Sequence, residues 1–145
     1  MEEYIMTIDE GTTSARAVLF NKDSEIIAIC AKEFAQYYPQ PGWVEQDPKE
    51  IWLTTKEVIN RVVLQAGIDP RQIKAAGITN QRETVVVYDK NTGEPVYNAI
   101  GWADRRTAPY CDELKAAGKE QMFIDKTGLL IDGYFSGTEI KWILD

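Results

Sequence analysis

Two short stretches of this 145-residue chain gather residue types that can do chemistry on a polar ligand. In Asp9-Glu-Gly-Thr-Thr-Ser-Ala-Arg16, Gly11 lets the backbone approach a ligand closely, while Thr12, Thr13 and Ser14 add hydroxyl donors beside consecutive backbone N–H groups. Such a tip suits a phosphate. Asp9 could hold Mg2+ through water, since that ion keeps several waters and takes only one or two carboxylates. Arg16 offers a fixed cation to phosphate oxygens. Taken alone, the tip is equally an ordinary glycine-containing turn whose Ser and Thr satisfy local backbone. It is not the Walker pattern, because no Gly-Lys-Ser/Thr occurs. The second stretch, Asn80-Gln-Arg-Glu83, is a polar insert between two apolar runs, which turn chemistry alone would make a solvated hairpin turn.

The elements that must position these residues follow from periodicity. Tyr4 to Ile8 and Arg16 to Phe20 are β-prone runs on either side of the polar tip, and Ser24 to Phe34 reads as a third antiparallel strand. Asp47-Pro-Lys-Glu50 carries a cap residue, a proline suited to the first helical position and the Glu of a capping box. The helix it starts has apolar residues at Ile51, Trp52, Val58, Ile59, Val62, Val63 and Ala66, predicted to pack on the sheet, and Gly67 is placed to end it. Ile73 to Thr79 and Thr84 to Asp89 read as two further strands, and Asn91-Thr-Gly93 as a turn. Helices are predicted near Pro109 to Ala117, near Lys119 to Lys126, and from Ser136 to Asp145, the last opening on a Ser-Gly-Thr cap. Strands, helix and strands in that order give an α/β fold. The length suits a single domain core over residues 1–145.

Composition narrows the chemistry. A net charge of −7 argues against a broad nucleic-acid face. The chain has no His, and its two cysteines, Cys30 and Cys111, are far apart, which excludes a His or Cys metal site and a His-based triad. No apolar run approaches the roughly 18 residues of a membrane span, and the acidic start is unlike a secretory signal. A cytoplasmic location without membrane partners is expected.

Ile8-Asp-Glu-Gly-Thr-Thr-Ser-Ala-Arg16 is similar to the first phosphate motif of the sugar and polyol kinases in the actin-like ATPase superfamily. Gly42-Trp-Val-Glu-Gln-Asp-Pro48, Gly77-Ile-Thr-Asn-Gln-Arg-Glu-Thr84, Tyr97-Asn-Ala-Ile100 with Trp102, Asp104-Arg-Arg-Thr107, and Tyr134-Phe-Ser-Gly-Thr138 with Lys141-Trp-Ile-Leu144 resemble, in order, segments of the glycerol kinases of the FGGY family. The resemblance implies a ribonuclease H-like (actin-like ATPase) domain with a mixed five-stranded sheet and flanking helices. It implies ATP/ADP and Mg2+ as cofactors and glycerol as substrate, with transfer of a phosphoryl group to give sn-glycerol 3-phosphate and ADP. Arg82, Glu83 and Tyr134 would hydrogen-bond the polyol, and Trp102, which alone reads as a core aromatic, would pack on its carbons. Gly11, Thr12, Thr13, Ser14 and Arg16 would contact nucleotide phosphates, and Asp9 would be the Mg2+-associated acid. A triol needs donors and acceptors together, and a site that pairs each hydroxyl rejects analogues lacking one.

The family's general base would lie beyond Asp145, in sequence leading to a second kinase domain, so no catalytic residue is expected among these 145, and on its own the chain is expected to be inactive. Four positions depart from the family pattern. Glu10 stands where Gln is usual, so a second carboxylate is expected beside the phosphate site, weakening nucleotide binding unless Mg2+ or Arg16 offsets it. Gly101 and Ala103 replace the usual flanks of Trp102, and Gly133 stands where Pro is common. A stand-alone polyol or phosphate-binding module, an actin-like assembly domain and another FGGY sugar kinase are the alternatives, and the sequence leaves open whether the chain is a homo-oligomer.

Overall fold

Alternating buried and open positions organise the first three strands. In the computed structural model, which describes residues 2–145, β1 (Tyr4–Glu10) buries Tyr4, Met6 and Ile8, β2 (Ser14–Phe20) buries Ala15, Ala17 and Leu19, and β3 (Ile26–Glu33) buries Ala28 and Cys30. Period-two burial puts all of these on one face. After the short strand β4 (Glu45–Gln46), α1 (Pro48–Ala66) begins at Pro48 and ends at Gly67, whose φ of +65° is the left-handed value that glycine adopts without strain. Val58 and Val62 of α1 join the buried faces of β1, β2 and β3 in one core cluster, with Ile59, Val63 and Ala66 against it. Small residues at Ala15, Ala17 and Ala28 leave room for the helix.

A 3-10 turn at Pro70–Gln72, closed by a capping box from Asp69, leads into β5 (Ile73–Thr79). The four strands form a mixed sheet in the order β3-β2-β1-β5, with β1 antiparallel to β2 and parallel to β5. β4 pairs with β6 (Ala99–Ile100) in a separate two-stranded sheet. α2 (Ala108–Ala116), α3 (Glu120–Thr127) and α4 (Ser136–Leu144) complete the chain.

The chain divides into two compact units, one of residues 1–35 with 49–81 and one of residues 36–48 with 82–145. The first holds the four-stranded sheet and nearly all of α1. The second holds β4, β6 and α2 to α4.

Three expectations are corrected. The sheet has four strands, not five, because Thr84 to Asp89 forms only isolated bridges, Val85 to Ile100 and Tyr88 to Pro95. Glu83, at φ +66°, turns the chain just before this segment, and Pro95, lacking an N–H, cannot extend a ladder on the opposing side. Trp52 does not pack on the sheet: it is 60% exposed and carries the Lys56 ammonium 5.1 Å from its ring centre, while Thr54, Thr55, Val58 and Val62 form the buried stripe of α1. α4 does not open on a Ser-Gly-Thr cap. Phe135 occupies the cap position without a side-chain bond, and Ser136 is the first helical residue, its hydroxyl committed elsewhere.

Candidate functional site

In the first unit, the strands run closer to the hairpin tip than the sequence suggests. β1 continues to Glu10 and β2 starts at Ser14, so only Gly11 to Thr13 form the tip, closed by the Gly11 N–H donating to the Ser14 carbonyl at 3.0 Å. A Cβ on Gly11 would lie 3.1 Å from that carbonyl, tight enough to force a shift. Thr13 accepts at its carbonyl from the Phe34 N–H, which ties the tip to the end of β3.

Pairing register then sorts the charged residues by face. Asp9 sits opposite Arg16, and Glu10 opposite Ala15. Directly opposed residues share a face, and successive residues alternate. Asp9 and Arg16 are therefore on the face away from α1, where neither makes a side-chain bond or ion pair to another described residue. Glu10 belongs to the core face. Its Oε1 accepts from the Thr55 hydroxyl of α1 at 2.6 Å, and its Oε2 is buried with no partner among the described residues. The extension of β1 to residue 10 thus turns the Glu10 carboxylate to the opposite side of the sheet from Asp9 and Arg16.

In the second unit, two of the four residues expected to hold a polyol meet directly, and a third is tied to the segment that carries one of them. The Trp102 and Tyr134 rings meet edge to face with centroids 6.0 Å apart, and Tyr134 packs in the same way on Phe135 at 5.1 Å. The backbone N–H of Trp102 donates to the hydroxyl of Thr84, the residue after Glu83. Glu83 reaches the same loop from the other side, its Oε2 accepting from the Ser136 N–H at 3.2 Å and the Ser136 hydroxyl at 3.0 Å. Arg82 is exposed and bonds none of the described residues, leaving its donor fork open. Trp102 is 37% exposed, an open aromatic face rather than a core ring.

A buried charge cluster underlies this loop set. The Arg106 guanidinium is fully buried, donates to Asp104 and to Glu45 at 2.8 Å each, and lies 3.9 Å from the Trp43 ring centre and 4.6 Å from that of Trp142. Burial alone would push the Glu45 carboxyl up, but hydrogen bonds from Asn98, Tyr97 and Arg106 together hold it below the usual carboxylate value. Asp104 also takes the Val44 N–H at 2.6 Å and the Arg106 N–H at 2.7 Å. The cluster pins residues 43 to 46, 97 to 98 and 104 to 106 beside one another, and so fixes the backbone that carries Trp102. Gly101 contributes by close approach: its N–H donates to the Val44 carbonyl at 2.9 Å, and a Cβ would sit 3.3 Å from the Val44 side chain. Gly133 is similar, with Thr107 Oγ1 3.1 Å from where its Cβ would be.

Glu139, on α4, is the residue that sequence reasoning missed. It is fully buried and neither carboxyl oxygen has a hydrogen-bond partner among the described residues. Burial, with the nearby charge of Asp104 and to a lesser extent Glu83, outweighs Arg106 and pushes its pKa up to about 8. At neutral pH it is therefore a neutral acid. A glutamate at the fourth position of an exposed-looking Ser-Gly-Thr-Glu helix start carries no sequence signal of burial.

The family described as "FGGY family of carbohydrate kinases, N-terminal domain" matches residues 4–145. The chain belongs to the FGGY family. Curated relatives similar to this FGGY chain include the glycerol kinase of Chromobacterium violaceum, 59% identical over 99% of the chain, and that of Geobacillus kaustophilus, 59% identical over all of it. In each case the chain spans 29% of the relative's length. Among solved structures, a Plasmodium falciparum glycerol kinase with ADP superposes with a TM-score of 0.90 at 31% identity, over 99% of this chain and 29% of that one. A gluconate kinase from Lactobacillus acidophilus also gives 0.90 at 25% identity, over 100% and 29%. The FGGY assignment accounts for the mixed sheet with flanking helices.

Proposed function

We propose that this chain is the N-terminal part of an ATP-dependent glycerol kinase, which converts ATP and glycerol to ADP and sn-glycerol 3-phosphate. The observation that carries the reading is the 59% identity, along the whole chain, to proteins named glycerol kinase. The arrangement of the second unit supports it. Arg82 offers unpaired donors, Glu83 an acceptor, and the Trp102 and Tyr134 rings an apolar wall with a phenol at its edge. Donors, acceptor and apolar wall together suit a small triol. Pairing each hydroxyl with a fixed partner discriminates against analogues lacking one far more than packing alone would.

The first unit supplies the phosphate contacts in this reading. The backbone at Gly11, which allows close approach, the N–H groups of Thr12 and Thr13 at the tip, the hydroxyls of Thr12, Thr13 and Ser14, and the unpaired Arg16 would stabilise charge on phosphate oxygens. Asp9 is an unpaired carboxylate on the same face as Arg16, and no cluster of three or more His, Cys, Asp or Glu that could hold a metal occurs among the described residues. One carboxylate fits Mg2+ held largely by water and phosphate, and when bound the ion would offset negative charge on the phosphates. None of the 145 residues is assigned the role of proton acceptor for the attacking hydroxyl. We place the enzyme in the cytoplasm, where its nucleotide is supplied; no helix among the described residues is long and apolar enough to cross a membrane.

The test is ADP release by the full-length protein with glycerol and with a pentulose. Preference for glycerol supports the reading, and preference for the pentulose contradicts it. The 145-residue polypeptide alone should release no ADP in response to glycerol.

A further inference from the structure

The contact between Glu83 and the start of α4 links residues 53 positions apart, and it constrains a side chain on which the polyol reading depends. Glu83 is one of two non-glycine residues with positive φ among the described residues, the other being Ser24. Such a conformation persists where surrounding contacts over-determine it. Here the contacts are specific. Oε2 of Glu83 accepts from both the N–H and the hydroxyl of Ser136, while Oε1 accepts no hydrogen bond from the described residues. Tyr134, two residues before Ser136, is the ring that meets Trp102.

We propose that Ser136 is a positioning residue of the polyol site: it holds one oxygen of the Glu83 carboxylate so that the other is presented, as an acceptor only, to a hydroxyl of the substrate. The inference rests on the glycerol reading above. A carboxylate at the first turn of a helix is favoured by the exposed N–H groups and the helix dipole, which holds the Glu83 side chain facing one way. With Oε2 doubly engaged, Glu83 loses the freedom to swing its carboxylate, and less ordering remains to be done when a hydroxyl binds. Removal of the Ser136 hydroxyl takes away one charge-assisted bond and leaves the N–H in place, so the carboxylate is loosened rather than released.

The contact could instead serve α4 alone, as a cap contributed from a distance, and the experiment separates the two roles. Glycerol binding is followed through the Trp102 indole N–H resonance, which also reads weak affinities, in the parent, S136A, S136T, E83Q, R82A and the double variant E83Q/S136A. The expected result is an affinity about tenfold lower in S136A, recovered to within about threefold in S136T, with no further loss when S136A is added to E83Q. A cap acting only on stability would lower affinity equally in both backgrounds or in neither, and either result overturns the proposal. If the parent shows no glycerol-dependent shift, or R82A binds as the parent does, the polyol reading falls and the proposal with it. The contact is also read without ligand: the Ser136 amide should exchange hydrogen about tenfold faster in E83A, and an unchanged rate overturns the positioning role whatever the binding result.

Discussion

Replacing Glu139 with Met should stabilise the second unit, and by an amount that depends on pH. The carboxyl is fully buried with two unpartnered oxygens, and its pKa of about 8 stands against an ordinary value of 4.5. The groups acting on it are Asp104 and Glu83, which raise it, and Arg106, which lowers it. Between those two pH values the folded protein holds a proton that the unfolded chain has lost. Stability therefore falls as pH rises from about 4.5 to about 8 and is level beyond. At pH 7 the gap of roughly 2.5 pH units corresponds to about 3 kcal/mol. Methionine has a similar shape without ionisation or orphan polar atoms, so E139M should exceed the parent by about 3 kcal/mol at pH 7 and by about 1 kcal/mol at pH 5. Glu139→Gln keeps the polar atoms but should abolish the slope. Urea unfolding followed by Trp fluorescence between pH 5 and 8.5 measures this, since Trp43, Trp102 and Trp142 all lie in the second unit. A parent-minus-variant difference that does not change with pH, or an E139M protein less stable than the parent at pH 7, would refute the reasoning.

Arg106→Leu should destabilise the protein by about 3–5 kcal/mol in the same assay, because Glu45 and Asp104 would be left buried without their cation. Glu10→Gln should change Mg-ATP affinity by less than about twofold, measured by calorimetry, because residue 10 faces α1 and not the side of the sheet that carries Asp9 and Arg16. Thr55→Val should instead cost about 1–2 kcal/mol of stability in denaturant unfolding, since it leaves the Glu10 carboxylate without its donor.

Much of this architecture can be read directly in the residues. Alternation at Tyr4, Met6 and Ile8 defines β1, Pro48 and Gly67 bracket α1, and β5 spans the predicted Ile73 to Thr79. The expected fifth strand fails because its apolar run, Val85 to Tyr88, follows a left-handed Glu83 and faces Pro95, and neither feature shows in β-propensity. The face on which Glu10 lies is not legible for a related reason. Placed in a loop it has no defined face, whereas in a strand that continues to residue 10 its parity sets it opposite Asp9. The candidate site residues can be singled out only through motifs that resemble those of the family, since a Trp, a Tyr and an Arg-Glu pair spread over more than fifty positions have no periodicity in common. The environment that holds them is tertiary. The Arg106 cluster draws Trp43, Tyr97 and Trp142 from three segments, and the Ser136 contact with Glu83 and the burial of Glu139 arise from the same packing.

The central claim is that Arg82, Glu83, Trp102 and Tyr134 form a glycerol site, and a calorimetric titration of glycerol into the protein tests it most directly. Saturable one-site binding in the parent that disappears in Arg82→Ala is the predicted result. Saturable binding that survives Arg82→Ala unchanged, or no saturable binding in the parent, would contradict it.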